Sequence, residues 1–244
     1  MSFFTIIWDE NSNALQAVID KASKQVTEKS ISGISIHVAP GTYSHEETLW
    51  VRPGVHLIGM KDVIFKFGAM NDFVSAVYVS QGASITDLTI IAARCDAVVY
   101  LMDGRAEGCT IRFAGNIGMK AEGDSINVSG CTFVNESAKK ITGRKQHQYS
   151  VVSLKIYFES YSLVNRQGQV TNNHFSVMTP EKYMTASAIS MLAIEYTPLN
   201  MFSGNVFHES CSLAINGRGH PLFTADEFAL LNDVRCKPHV ITAD

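Results

Sequence analysis

The stretch that decides the fold runs from 83 to 133. It holds ASITDLTI (83–90), RAEGCTI (105–111) and INVSGCTF (126–133), three versions of one segment. Two more follow, QVTNNHF (169–175) and MFSGNVF (201–207). Aligned, they fall into columns. Ile85, Ala106, Val128, Val170 and Phe202 form the first, and Leu88, Cys109, Cys131, Asn173 and Asn205 the second. Ile90, Ile111, Phe133, Phe175 and Phe207 form the third, with steps of 21, 22, 42 and 32 residues. The 42 is two periods, or one period with a long insertion. A fixed period in this range marks a repeat architecture.

A second segment type alternates with the first: SAVYVSQ (75–81), DAVVYLM (96–102), NIGMKAE (116–122), YSVVSLKI (149–156), TASAISMLAI (185–194) and CSLAING (211–217). Val77, Val98 and Met119 suggest its column. Each segment is short, β-branched or aromatic, and bounded by Gly, Asn, Asp or Ser, which are strand and turn signals. At least two short strands per period of about 21 residues describe a solenoid of β coils. One coil cannot bury its apolar side chains alone; coils stacked roughly 4.8 Å apart pair every backbone group with the neighbours above and below. Asn173 and Asn205 then predict an Asn ladder at a turn. Cys109 and Cys131 predict an interior stack of thiols within bridging distance of each other.

Working outward, NSNALQAVIDKASKQV (11–26) has the apolar spacing of an amphipathic helix, with Asn11 or Ser12 as candidate N-cap. An open solenoid end exposes unpaired strand edges, so this helix is expected to cover the N-terminal end. ADEFALLNDVR (225–235) is a second amphipathic stretch, suited to the other end. The expected organisation is one domain over 1–244: an N-terminal strand and capping helix over 1–30, coils over 31–217, and a C-terminal cap or tail over 218–244. The fold class is all-β, a single-stranded parallel β-helix.

Composition agrees. Of 244 residues 46% are hydrophobic and 18% charged, and the formal net charge is −3. Such a chain can bury a core and is not a disordered polyelectrolyte. The charge balance gives no reason to expect a nucleic-acid partner. No run approaches the roughly 20 apolar residues of a membrane span. Five cysteines, an odd and sparse set, suit a reducing compartment better than a disulfide scaffold. MSFFTIIWDE lacks a basic leader region and meets Asp9 and Glu10 early, so the expectation is a cytoplasmic protein or export without a cleavable signal peptide.

The N-terminal third resembles the pectin-lyase-like right-handed parallel β-helix superfamily, especially its polygalacturonase and phage-tailspike branches. The matching residues are DENSNALQAVIDKA (9–22), ISIHVAPGTYSHEETLWVRPGVHLIGM (34–60) and VIFKF (63–67), with the turn Pro40-Gly41-Thr42-Tyr43 and the extended segment Val55 to Gly59. The resemblance implies right-handed winding. It leaves function open, because the fold hosts lyases, hydrolases, epimerases, adhesins and inert scaffolds.

Polygalacturonases carry an Asn-Thr-Asp triplet, an Asp-Asp pair, a Gly-His-Gly and an Arg-Ile-Lys on successive coils. Here the corresponding positions read Arg94-Cys95-Asp96, Gly115-Asn116 and Gln146-His147. Asp96 and His147 are the candidate catalytic groups. Asn116 replaces the pair, and an amide is no general acid or base. By resemblance to pectate lyases, Asp103 and Asp124, in equivalent turns of neighbouring coils with Arg105 nearby, could hold calcium or a sugar. The competing reading is ordinary Asp-Gly and Gly-Asp turn chemistry.

Insertions between coils are expected to wall a groove. The first (136–147) carries Lys139, Lys140, Arg144 and Lys145. The next two (157–168 and 178–184) carry Tyr157, Phe158, Tyr161 and Tyr183. Aromatic surfaces beside cations suit an anionic saccharide. His208-x-x-Cys211 and Cys236-x-x-His239 have the pair spacing of a structural zinc site. The function expected is recognition of an anionic saccharide with weak or no catalysis. The alternatives are a non-catalytic interaction or assembly module, phage-derived or effector-like, and a lyase or hydrolase with a divergent site. Homo-oligomerisation along a solenoid side is compatible with each.

Overall fold

The computed structural model describes residues 3–9, 14–92, 94–114, 117–136, 149–157, 168–178, 184–191, 197–236 and 240–243. Among them the chain is a stack of three all-parallel sheets, eight strands each. Sheet A contains β1 (Phe3–Trp8), β2 (Gly33–Val38), β5 (Val55–Gly59), β8 (Ser84–Thr86), β11 (Arg105–Glu107), β14 (Asn127–Ser129), β17 (Gln169–Thr171) and β20 (Phe202–Ser203). Sheet B contains β3 (Gly41–His45), β6 (Val63–Phe67), β9 (Thr89–Ala92), β12 (Thr110–Phe113), β15 (Thr132–Asn135), β18 (His174–Val177), β21 (Val206–Phe207) and β23 (Asp233–Val234). Sheet C contains β4 (Leu49–Val51), β7 (Val77–Val79), β10 (Ala97–Met102), β13 (Ile117–Glu122), β16 (Tyr149–Tyr157), β19 (Met184–Met191), β22 (Leu213–Arg218) and β24 (Val240–Ala243). From β2 to β22 the chain visits A, B and C in strict rotation, so each coil adds one strand to every sheet.

The recurring segment holds two strands, because it bends in the middle. At the A-to-B corner stand Asp87, Gly108, Gly130, Asn172 and Gly204, all with φ between 53° and 66°. Gly, Asn and Asp are the residues that tolerate this left-handed conformation. Each corner N–H donates to the next coil: Asp87 to Glu107, Gly108 to Ser129, Gly130 to Thr171 and Asn172 to Ser203. The residue after each bend then points inward, which produces the column Leu88, Cys109, Cys131, Asn173, Asn205.

Both strand columns expected from the sequence pair directly. Ile85, Ala106, Val128, Val170 and Phe202 stack in sheet A. Ile90, Ile111, Phe133, Phe175 and Phe207 stack in sheet B and are fully buried. Phe133 and Phe175 are parallel at 4.9 Å, and Phe175 and Phe207 at 5.1 Å. Phe133 pairs with Phe175, so the 42-residue step is one coil with insertions. In sheet C the register differs from expectation: Val77 and Met119 pair with Val99, not Val98. Ala97, Val98 and Val99 are all buried, so the two-residue alternation breaks there.

The Asn ladder is present and longer than expected. Asn173 Nδ2 donates to Val128 O at 2.9 Å and to Asn205 Oδ1 at 3.0 Å. Asn205 Nδ2 donates to Val170 O at 2.8 Å and to Asn232 Oδ1 at 2.9 Å. Their side-chain oxygens accept main-chain N–H groups of the coil before, as from Cys131 and Asn173. Buried amides satisfied in this way hold adjacent coils in register.

Helices close the ends. α1 (Leu15–Lys29) fills the path between β1 and β2 and buries Leu15, Ile19 and Ala22. It begins at N-cap Ala14 without a side-chain cap bond, which corrects the Asn11 or Ser12 assignment; those two lie outside the described residues. Gln16 meets the exposed edge of β4, its Oε1 accepting from Trp50 N at 2.8 Å and its Nε2 donating to Trp50 O at 3.2 Å. α2 (Ala225–Leu231) has a complete capping box between Thr224 and Glu227 and buries Phe228 against Phe202 and Phe207. No helix among the described residues is long and apolar enough to cross a membrane.

Candidate functional site

Strand alternation sends every second residue of sheet C outward, and the register stacks those residues along the solenoid axis. The outward column reads Trp50, Tyr78, Tyr100, Lys120, Lys155, Ser190 and Asn216. Two positions along, Met102, Glu122 and Tyr157 form a second column. The aromatic members touch: Trp50 and Tyr78 have ring centroids 4.4 Å apart, Tyr78 and Tyr100 4.9 Å. Trp50 remains 38% exposed. Tyr78 and Tyr100 are half-buried, and three outward aromatic side chains in one column need a reason, because the column adds nothing to the core.

The cations continue the strip. Lys120 Nζ lies 4.8 Å from the Tyr100 ring centre and 5.4 Å from that of Tyr157; Lys155 Nζ lies 5.0 Å from Tyr157. Two ammonium groups thus share one ring, at cation–π distance. Among the described residues neither forms an ion pair. Glu122 is engaged by the Tyr100 hydroxyl, which donates to Oε2. Burial and the Glu122 charge push the Tyr78 phenol above its usual pKa. At the aromatic end Arg52 lies 5.4 Å from the Trp50 ring and pairs with Asp20 at 2.8 Å. That guanidinium holds the Asp20 carboxyl below the usual range.

Of the residues singled out from sequence, Tyr157 belongs to this strip. Lys139, Lys140, Arg144, Lys145, His147, Tyr161 and Tyr183 lie outside the described residues. The segments that carry them join directly onto β16 and β19 of the same sheet.

Asp96 precedes β10 and Asp103 follows it, so the two carboxylates are separated by a whole strand, roughly 20 Å. Asp103 and Asp124 occupy equivalent corners of adjacent coils. Asp103 Oδ1 accepts from Ser125 N at 2.8 Å, a turn bond that ties one corner to the next. Arg105 is exposed on the outer face of sheet A, around the corner from both.

Of the proposed zinc ligands, His208 Nδ1 is bonded to Ser210 Oγ at 2.8 Å, and the Cys211 thiol is directed at Phe175 O at 3.5 Å. Burial, with Cys236 nearby, pushes the Cys211 pKa up to about 12. His239 lies outside the described residues. Among the described residues no three His, Cys, Asp or Glu side chains gather where they could hold a metal ion. All five cysteines are free, Cys109 and Cys131 included.

Trp50, Tyr78, Tyr100, Lys120 and Lys155 escaped the sequence reading. Their signal lies only in the strand register, since unequal connections put them at irregular chain spacings. Compared with known protein families, curated proteins and solved structures, the chain matches none.

Proposed function

We propose that this chain is a saccharide-binding β-helix, wound right-handed in coils of about 21 residues like the pectin-lyase-like proteins it resembles, and that it holds an anionic saccharide on the outer face of sheet C with weak or no catalysis. Right-handed winding is the strong preference of parallel crossovers. The observation that carries the binding reading is the axial strip in which Trp50, Tyr78 and Tyr100 pass into Lys120, Lys155 and Tyr157. Aromatic surface suits the C–H faces of sugar rings, and the ammonium groups suit carboxylate or sulfate. The insertions expected from the sequence to wall a groove, 136–147, 157–168 and 178–184, adjoin strands of this sheet along the chain. Asp103 Oδ1 is spent on Ser125 N as a turn acceptor, which supports the turn reading of that carboxylate over a hydrolytic one.

The test is a screen of acidic glycans by calorimetry, with product analysis on the same samples. Binding that weakens about tenfold or more in Trp50→Ala and in Tyr157→Ala is the expected result. New reducing ends or unsaturated products would favour the lyase or hydrolase reading.

A second reading, a protein-interaction module, is favoured by the composition of the strip. Trp50, Tyr78, Tyr100, Met102 and Arg52 are residue types enriched at protein interfaces. Phe73, Leu230 and Ile7, 89%, 83% and 73% exposed, add apolar surface elsewhere. Failure to bind any acidic glycan, with retention of a protein complex that Trp50→Ala disrupts, would install that reading in place of the first.

A further inference from the structure

The outward column itself is charged in one place only. Along the outward column the first three rungs are aromatic, the next two are Lys120 and Lys155, and the following two are Ser190 and Asn216. The cationic rungs are therefore flanked on both sides by uncharged ones.

The other charges next to the strip do not extend the anion site. Arg52, beside Trp50, is held by Asp20. A ligand carboxylate brought to Trp50 would meet a guanidinium already neutralised and the Asp20 charge behind it. Glu122 stands beside Lys120 in the second column with its carboxylate turned to Tyr100. An acidic sugar over Tyr100 would face that carboxylate, a like-charge contact in a partly desolvated place. Lys120 and Lys155, by contrast, are paired across adjacent strands and share the Tyr157 ring. Both ammonium groups lie within 5.4 Å of that ring centre, and an anion that reaches both gains two charge-assisted bonds.

Resting on the saccharide reading, we infer that the strip selects a chain of mixed charge. One anionic group is held by Lys120 and Lys155 at the edge of Tyr157, and uncharged sugar lies on Trp50 and Tyr78. Three rungs separate Trp50 from Lys120, roughly 14 Å of axis. A chain with acid on every ring puts carboxylates against Glu122 and Asp20 and is disfavoured.

Calorimetric titration of the intact protein with three tetrasaccharide probes tests this. The probes are cellotetraose (no acid), the deacylated gellan repeat (one acid in four rings) and tetragalacturonate (acid on every ring). The gellan repeat is expected to bind at least about tenfold tighter than either other probe. Lys120→Gln with Lys155→Gln should reduce it to the level of cellotetraose and flatten its salt dependence. Trp50→Ala should weaken the gellan repeat and cellotetraose alike and leave the salt slope unchanged. Thermal unfolding checks that each variant remains folded, and Lys120→Arg, which keeps the charge, should retain binding. Tetragalacturonate binding as tightly as the gellan repeat would overturn the mixed-charge inference while leaving the saccharide reading in place. Absence of binding by all three probes would overturn both.

Discussion

Two columns run along this solenoid, one inside and one outside, and each changes chemistry partway. The inner column at the A-to-B corner goes from Leu88 and Cys109 through Cys131 to Asn173, Asn205 and Asn232. The outer column of sheet C goes from Trp50, Tyr78 and Tyr100 to Lys120 and Lys155. Inside, every member is buried, and the change from apolar to amide coincides with side chains that satisfy the backbone of neighbouring coils. Outside, among the described residues, Lys120 and Lys155 are set against rings and not against backbone groups. Stability therefore accounts for the inner column and not for the outer one, and that contrast directs attention to the outer one as the place of function.

The largest effect should come from breaking the inner column. Asn205→Leu removes the side-chain partner of Asn173 N, of one Asn173 Nδ2 hydrogen and of Val170 O in a dry corner. At about 1–3 kcal/mol for each buried group left unpaired, the loss should be about 5 kcal/mol, read as a shift in the urea midpoint. Phe175→Ala, which opens the stack between Phe133 and Phe207, should cost about 4 kcal/mol by the same measurement. Lys120→Gln should change the unfolding free energy from the same measurement by less than about 0.5 kcal/mol. Its effect should appear in glycan affinity instead, and a large stability loss there would erase the contrast between the columns.

The smallest effect concerns His45, whose ring stacks on Phe67 at 5.0 Å and whose Nε2 is buried without a partner. Burial holds its pKa below the ordinary imidazole value. As pH falls below about 6.5, the unfolded chain takes up a proton that the folded chain resists. The stability present above that pH is then lost progressively toward the lower folded-state pKa. Thermal unfolding at about pH 8 and about pH 5.5 should show this loss, reduced in His45→Phe. Part of it should persist, because His56 and His174 are shifted in the same direction by burial.

The two columns also differ in how openly the sequence displays them. The inner one follows a residue that must be left-handed, so Asp87, Gly108, Gly130, Asn172 and Gly204 announce it every coil. Core packing adds like-upon-like residues, which is why Ile90, Ile111 and Phe133 align on inspection. The same bend hid a strand: 83–90 looks continuous until Asp87 turns it, so two strands per coil were legible and the third was not. Sheet C was harder. Ala97, Val98 and Val99 are successive buried residues, and apolar pattern alone cannot say which of them pairs with Val77. Asn232 was missed for a related reason, since α2 replaces the repeated segment that would have aligned it. Outward residues carry no packing constraint from coil to coil, so Trp50, Tyr78 and Lys120 became neighbours only once the register was known.

Gln16 has a consequence for assembly. Its amide occupies both hydrogen-bonding groups of Trp50 on the β4 edge, the place where another β-strand would otherwise add. A single side chain in this position acts as a terminator: it imitates one more rung and offers nothing for the next to grip. Duplicating an internal coil should simply yield a taller molecule, whereas Gln16→Ala would leave a sticky edge and invite end-on polymerisation.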